Sequence, residues 1–294
     1  MGLVRYLLLR FAAGVVGLMP LSLARRIGRW GGGIAAVFMG NARRMARRHM
    51  TRSGFEESEA DAAVVEVFRN YGAYWTESMW MRPRRFREII DTTILEGRDL
   101  VEEALAEHKG MILALPHMGN WEFAGPLGTL IGFRLVAVAE RLKNRWIRDW
   151  FVDLRSRLGI EVLFAGDRET MRALEAVLNG NGAVALVCDR DLSRKGIEVE
   201  FFGEKTTFPA GPAMLALRTG APIFPVASYM DKKGGHRVVV KPSVEIPQGL
   251  DRSATLSAVT QNLTREIEGL IKVHPEQWHL LQPNWPSDRE EASP

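Results

Sequence analysis

The chain has 294 residues, of which 46% are hydrophobic and 25% charged, and its net charge is +4. That balance excludes a disordered polar chain and suits one large domain or two small ones. A lone cysteine, Cys188, excludes an internal disulfide framework and a cysteine-rich zinc site, and no apolar run reaches the roughly 18 residues of a spanning helix.

Residues 1–55 carry ten arginines (Arg5, Arg10, Arg25, Arg26, Arg29, Arg43, Arg44, Arg47, Arg48 and Arg52) and no Lys, Asp or Glu, so the segment is +10 and the remainder −6. Nucleic acid and anionic lipid are the usual partners of such a segment. Val4, Leu7, Leu8, Phe11, Val15 and Leu18 recur at helical spacing. Trp30, Ile34, Val37 and Phe38 make a second stripe, and Arg43, Arg44, Arg47 and Arg48 follow as a basic face. Apolar stripes bounded by arginine predict amphipathic helices lying on an anionic membrane surface, because nucleic-acid arms rarely carry so much Leu, Val and Phe. Arg10 interrupts the apolar region, which argues against a secretory signal peptide. A plainer reading packs these helices on the main domain and leaves their arginines in water. Breaks near Pro20 and Gly31-Gly32-Gly33 divide residues 1–50 into two or three helices.

Val64, Phe68, Tyr71 and Trp75 predict a helix over residues 57–81, ended by a basic break at Met81–Arg85. Strands and helices then alternate. Strands are predicted at Met111–Leu115, Leu135–Ala139, Glu161–Phe164, Ala183–Cys188, Pro222–Ser228 and Arg237–Lys241. Helices are predicted from about Trp121 and over Arg145–Leu158, Glu169–Leu178, Pro209–Thr219 and Ala254–Lys272. Apolar strands separated by helices predict an α/β fold with a mostly parallel central sheet flanked by helices. The domain reading is 1–55 for the basic helices, 56–285 for the α/β domain and 286–294 for a disordered tail.

In an open parallel sheet, ligands bind where strands end at their carboxyl side. Pro116–Glu122, Glu140-Arg141, Ala165–Arg168 and Asp189–Asp191 therefore gather along one edge. His117 is the natural centre, since imidazole takes a proton from an attacking alcohol near neutral pH. Glu122 lies five residues on and comes near only if His117 sits in a strand-to-helix turn that Asn120 caps. A His followed by Glu at that distance is common by chance, so its place after a buried strand carries the weight. Asp189 and Asp191 are both open as a second acid. Cys188 reads as inert core, no nucleophile-elbow serine exists, and His108, His236 and His274 read as solvated surface residues without metal-ligand spacing.

Pro116-His117-Met118-Gly119-Asn120-Trp121-Glu122 resembles the His-x4-Asp/Glu motif of bacterial lipid acyltransferases, the family of lipid A late acyltransferases and actinobacterial phosphatidylinositol mannoside acyltransferases. Val138–Leu142, Leu154–Gly159, Asp189–Leu192, Gly196–Gly203, Pro209–Ala213 and His274–His279 resemble further blocks in family order, from about residue 5 to 285. Asp189-Arg190-Asp191-Leu192 and Gln282-Pro283-Asn284-Trp285 resemble the mannoside branch more than the lipid A branch. The resemblance implies acyl transfer from acyl-CoA, a substrate rather than a cofactor, to a sugar hydroxyl of a phosphatidylinositol mannoside on the cytoplasmic face of the cell membrane. It implies His117 as general base, Glu122 and Asp189 as its acidic partners, and Arg155, Arg141 and Arg190 as substrate-binding cations, with neither a metal nor nucleic acid. The alternatives are a lipid A type reaction on a glucosamine-based lipid and a non-catalytic acyl-lipid binding protein of the same fold. A nucleic-acid arm ranks last.

Overall fold

The computed structural model describes residues 2–167, 169–193, 195–231 and 234–290. Four helices come first: α1 (Gly2–Val16), α2 (Leu21–Phe38), α3 (Gly40–Arg52) and α4 (Glu57–Trp80). After a short turn comes α5 (Phe86–Asp91), then β1 (Thr93–Glu96), α6 (Arg98–Ala106), β2 (Met111–Leu115), α7 (Gly125–Ile131) and β3 (Leu135–Ala139). Next are α8 (Arg145–Ser156), β4 (Ile160–Phe164), α9 (Thr170–Asn179) and β5 (Ala183–Val187). A hairpin of β6 (Ile197–Phe201) and β7 (Glu204–Phe208) precedes α10 (Gly211–Thr219), β8 (Ile223–Met230), β9 (His236–Val240), α11 (Arg252–Val273) and α12 (Ser287–Glu290).

The main sheet has the order β1-β9-β8-β2-β5-β3-β4, and only the β8–β9 pair is antiparallel. The mostly parallel α/β sheet read from the sequence is therefore present. Three strands escape that reading. β1 is a four-residue edge strand with Ile94 exposed, β6 alternates Glu with apolar residues, and β7, after a Phe202-Gly203 turn, is mostly polar. Short or half-solvated strands carry too little apolar run to stand out.

The two faces of the sheet differ. Ile112, Ala114, Val136, Val184, Leu186 and Ala227 share one closed core with side chains of α9, α10 and α11. On the other face, Leu113, Leu115, Ala137, Ala185, Val226 and Val238 line an open cavity. Period-two alternation of side chains separates the two sets. Ala137 and Ala185 are register neighbours, and their small side chains leave room where Leu or Val would close the layer.

Helix α2 continues through Gly31–Gly33 and ends at Phe38, contrary to the expected break. The reason is close packing on α4. A Cβ on Gly32 would lie 2.0 Å from the Phe68 carbonyl oxygen, and one on Gly72 would lie 2.1 Å from that of Gly28. Contact between the helices outweighs the roughly 1 kcal/mol that each glycine costs in helix propensity.

Arg84 and Arg85 donate to the Gly17 carbonyl at 3.0 and 3.1 Å, and Arg82 donates to Ala13. The basic break thus satisfies carbonyls at the end of α1, where the helix dipole favours cations. Both apolar stripes of the N-terminal helices face solvent, with Phe11 74% and Phe38 81% exposed. The basic face expected on α3 is partly paired, with Arg44 left exposed. Arg43 and Arg47 pair with Asp61 and Glu57 of α4, and Arg48 pairs with Asp288 at 3.0 Å. No helix among the described residues is long and apolar enough to cross a membrane.

Part of the segment expected as a tail, Ser287–Glu290, is helical. Asp288 is buried, accepts from the backbone N–H groups of Asn284 (2.9 Å) and Trp285 (3.1 Å), and pairs with Arg52 at 2.7 Å. These bonds fold Ser287–Glu290 into α12. Residues 291–294 lie outside the described residues.

Candidate active site

Strands β2 and β5 are parallel neighbours, with Leu115 opposite Val187. His117 and Asp189 each lie two residues beyond that pair, so the register alone sets them side by side. His117 Nδ1 is 2.6 Å from Asp189 Oδ1, and the His117 backbone N–H donates to Oδ2 at 3.1 Å. Nδ1–H toward the carboxylate leaves Nε2 as the free acceptor. The His117 side chain is 29% exposed, whereas that of Asp189 is fully buried.

Burial alone would raise the Asp189 carboxyl, but the His117 charge, both His117 hydrogen bonds and a 2.7 Å bond from the Trp278 indole hold it below the usual range. Asp189 is thus a fixed anion aimed at one imidazole nitrogen. Of the two acids, Asp189 is the one in contact with His117. Asp191 instead accepts from the backbone N–H groups of Ser193 (2.9 Å) and Gly196 (2.8 Å) and organises its own loop.

The turn after β2 is built as its residues predict. Asn120 Oδ1 accepts from the Glu122 backbone N–H at 3.3 Å and caps the helical turn Trp121–Phe123. Gly119 has φ +55, and a Cβ there would lie 1.8 Å from the Ser228 carbonyl oxygen, so only glycine fits. Glu122, however, pairs with Arg155 rather than with His117. Its carboxylate takes two bonds from Arg155, at 2.6 and 2.9 Å, and one from the Tyr74 hydroxyl at 3.4 Å. Burial alone would lower the Arg155 guanidinium, but Glu122 holds it above its ordinary range. The pair is a largely buried clamp between the turn and α8.

Of the remaining strand-end groups, Arg190 lines the cavity and pairs with Glu140 at 2.8 Å. Arg141 pairs with Asp167 at 2.7 Å and stacks on Phe164. Arg168 lies outside the described residues. Cys188 is buried, and burial pushes its thiol well up, which fits inert core rather than a nucleophile. His108 is exposed and His274 half-buried. His236 is not a surface residue; it is buried, with Nε2 2.9 Å from Glu77 Oε2.

Residues far along the chain complete the site. Met118 bridges Trp278 in antiparallel pairing, the His279 N–H donates to the His117 carbonyl at 2.7 Å, and His279 Nε2 donates to the Gly119 carbonyl at 2.8 Å. Trp121 stands edge-on to the His117 ring, 5.6 Å between centroids, and packs on Tyr74. The block His274–His279 contains Trp278 and His279, but only the fold reveals their task.

His117 opens onto a cavity of about 550 Å³. Leu95, Leu113, Ala137, Phe151, Ile160 and Val240 are among its lining residues, drawn from strands across the whole sheet and from α8. An imidazole with an ionised partner therefore meets an apolar space at the carboxyl end of a mostly parallel sheet. The family model of bacterial lipid A biosynthesis acyltransferases matches residues 3–287. The chain belongs to this family. It is 36% identical over 237 residues to the phosphatidylinositol mannoside acyltransferase of Mycobacterium tuberculosis, covering 79% of this chain and 73% of that protein. It is 35% identical over 287 residues to the protein of the same name from Mycolicibacterium smegmatis, covering 95% and 91%. The family read from the motif blocks is thus shown.

Proposed function

We propose that this family member transfers a fatty acyl chain from acyl-CoA to a sugar hydroxyl of a phosphatidylinositol mannoside, with His117 as general base. One observation carries the reading: the 2.6 Å His117–Asp189 pair lies at the edge of an apolar cavity of about 550 Å³. The chain occupies the cavity and brings the thioester carbonyl beside the imidazole. His117 Nε2 takes the hydroxyl proton as the oxygen attacks that carbonyl. The C–O bond forms, the C–S bond breaks, and the imidazolium returns the proton to the departing thiolate. Asp189 holds the tautomer and balances the imidazolium charge. The thioester is already activated, so no acyl-enzyme is needed, and proximity with general-base catalysis supplies the rate.

Glu122 and Arg155 serve this reaction by fixing the wall beside the base. Arg190 and Arg141 at the strand ends suit the anionic groups of the substrates. The exposed stripes of α1 and α2 suit a peripheral position on the cytoplasmic face of the membrane, where a lipid acceptor resides. The exposed arginines Arg10, Arg26 and Arg44 suit its anionic headgroups.

The test incubates the purified protein with palmitoyl-CoA and either a mannosylated phosphatidylinositol or a glucosamine-based lipid, following acylated lipid and free CoA. The expected outcome is acylation of the mannoside with stoichiometric CoA release. Transfer to the glucosamine lipid alone would contradict the acceptor, and binding without turnover would contradict the catalytic reading.

A further inference from the structure

We propose that Glu77 is a positioning residue for the His117–Glu122 turn and ties that turn to helix α2 through Arg25, an inference that rests on the reading of His117 as the base. Glu77 lies on α4, is fully buried, and is not among the cavity-lining residues. Three elements converge on its carboxylate. Arg25 of α2 donates to Oε1, and on the other oxygen His236 Nε2 stands at 2.9 Å and Asn120 Nδ2 donates at 3.0 Å. Arg25 also donates to the carbonyls of Asp231 (2.8 Å) and Gly235 (3.2 Å), which fixes the guanidinium from the far side.

A buried ion pair is expensive to assemble and needs every remaining lone pair satisfied. Arg25 and His236 would suffice for a purely structural pair. The further bond goes to Asn120, whose remaining polar groups hold the turn together and tie it to β8. Asn120 Oδ1 accepts from the Glu122 N–H, and its carbonyl accepts from Ser228 Oγ at 2.8 Å. The connection therefore runs Arg25–Glu77–Asn120–Glu122–Arg155, from the helix with an exposed apolar face to the clamp beside the base. Phe123, which ends the same turn, stacks on His236 at 3.6 Å between centroids, so the Glu77 cluster grips the turn at two points. None of Arg25, Glu77, Asn120, Phe123 and His236 lines the cavity. Its effect on the reaction acts through the position of the turn.

Asn120→Asp separates the roles. Asp caps a helix as well as Asn does, but here it sets a second carboxylate against Glu77. Asn120→Ser keeps a capping oxygen and is too short to reach Glu77, and it serves if the Asp variant does not fold. The swap Glu77→Gln with Asn120→Asp restores a donor–acceptor pair and the original buried charge. Readouts are kcat and KM for palmitoyl-CoA, melting temperature, and amide exchange over residues 116–124. For Asn120→Asp, kcat is expected to fall at least about tenfold with donor KM within about twofold, since small misplacement of a reacting group costs turnover. Exchange over 116–124 is expected to accelerate at least about tenfold as the turn opens locally, with the swap recovering most of both effects. Asn120→Ser is expected to move both readouts in the same direction by about threefold. Wild-type exchange and kcat in the single variants, or a swap no better than Asn120→Asp, would overturn the proposal. Exchange is read without turnover, so a failure of the His117 reading leaves this result decisive and distinct.

Discussion

His117 and Asp189 face each other because their strands do: both follow the Leu115–Val187 register pair by two residues, and the imidazole ends 2.6 Å from the carboxylate. Replacing Asp189 by Asn keeps the shape and removes the charge that fixes the tautomer. Acyl-transfer kcat is expected to fall by roughly 10²- to 10⁴-fold in Asp189→Asn, with little change in melting temperature. Steady-state rates with palmitoyl-CoA and the mannoside check this.

Trp278 supplies the indole N–H that helps keep Asp189 ionised. Trp278→Phe removes this donor while retaining most of the buried ring. The Asp189 carboxyl then rises toward its ordinary range, and the protein loses about 1–3 kcal/mol of stability at neutral pH. Urea unfolding across a pH series tests both effects.

Glu122 and Arg155 form a buried pair with side-chain exposures of 2% and 16%. Removing either partner leaves an unpaired charge and is expected to cost about 3–5 kcal/mol. Glu122→Gln combined with Arg155→Met removes both charges and should recover most of that loss. Chemical denaturation of the three variants measures the coupling. Equal stability of the double variant and the worse single variant would show that the two side chains do not act as a pair.

His279 sets a pH dependence of stability. Burial lowers its imidazole from 6.5 to about 4, although the bond to the Gly119 carbonyl opposes this. As pH falls below 6.5 the unfolded chain takes up a proton that the folded chain refuses, so stability falls down to about pH 4. The slope reaches about 1.4 kcal/mol per pH unit for one group, and His236, also lowered by burial, adds in the same direction. Thermal unfolding between roughly pH 4.5 and 7.5 is expected to show this loss, with a shallower dependence in His279→Gln.

Much of this fold is legible in the residues. The strands Met111–Leu115 and Leu135–Ala139 coincide with their apolar runs because strands buried in a parallel sheet have little polar patterning to blur them. The turn chemistry of Gly119 and Asn120 is also local. The partners of Glu122 and Asp189 are not. Arg155 lies 33 residues from Glu122, and Trp278 lies 89 residues from Asp189, so only strand order and register bring them together. The pairing of Arg43, Arg47 and Arg48 is illegible for a related reason: their acidic partners sit on α4 and α12, and no spacing within α3 announces them.

The exposed stripes give a surface prediction. Phe11→Glu and Phe38→Glu are expected to weaken binding to vesicles containing anionic lipid while stability stays within about 0.5 kcal/mol of wild type. Vesicle flotation with a melting curve checks the pair. Unchanged flotation would contradict membrane docking through this face.

The most direct measurement is the single-turnover rate of acyl transfer from palmitoyl-CoA to a mannosylated phosphatidylinositol in His117→Ala, compared with wild type at equal folded concentration. Removal of the base is expected to lower the rate by at least about 10²-fold while the donor still binds. A wild-type rate in His117→Ala would contradict the account.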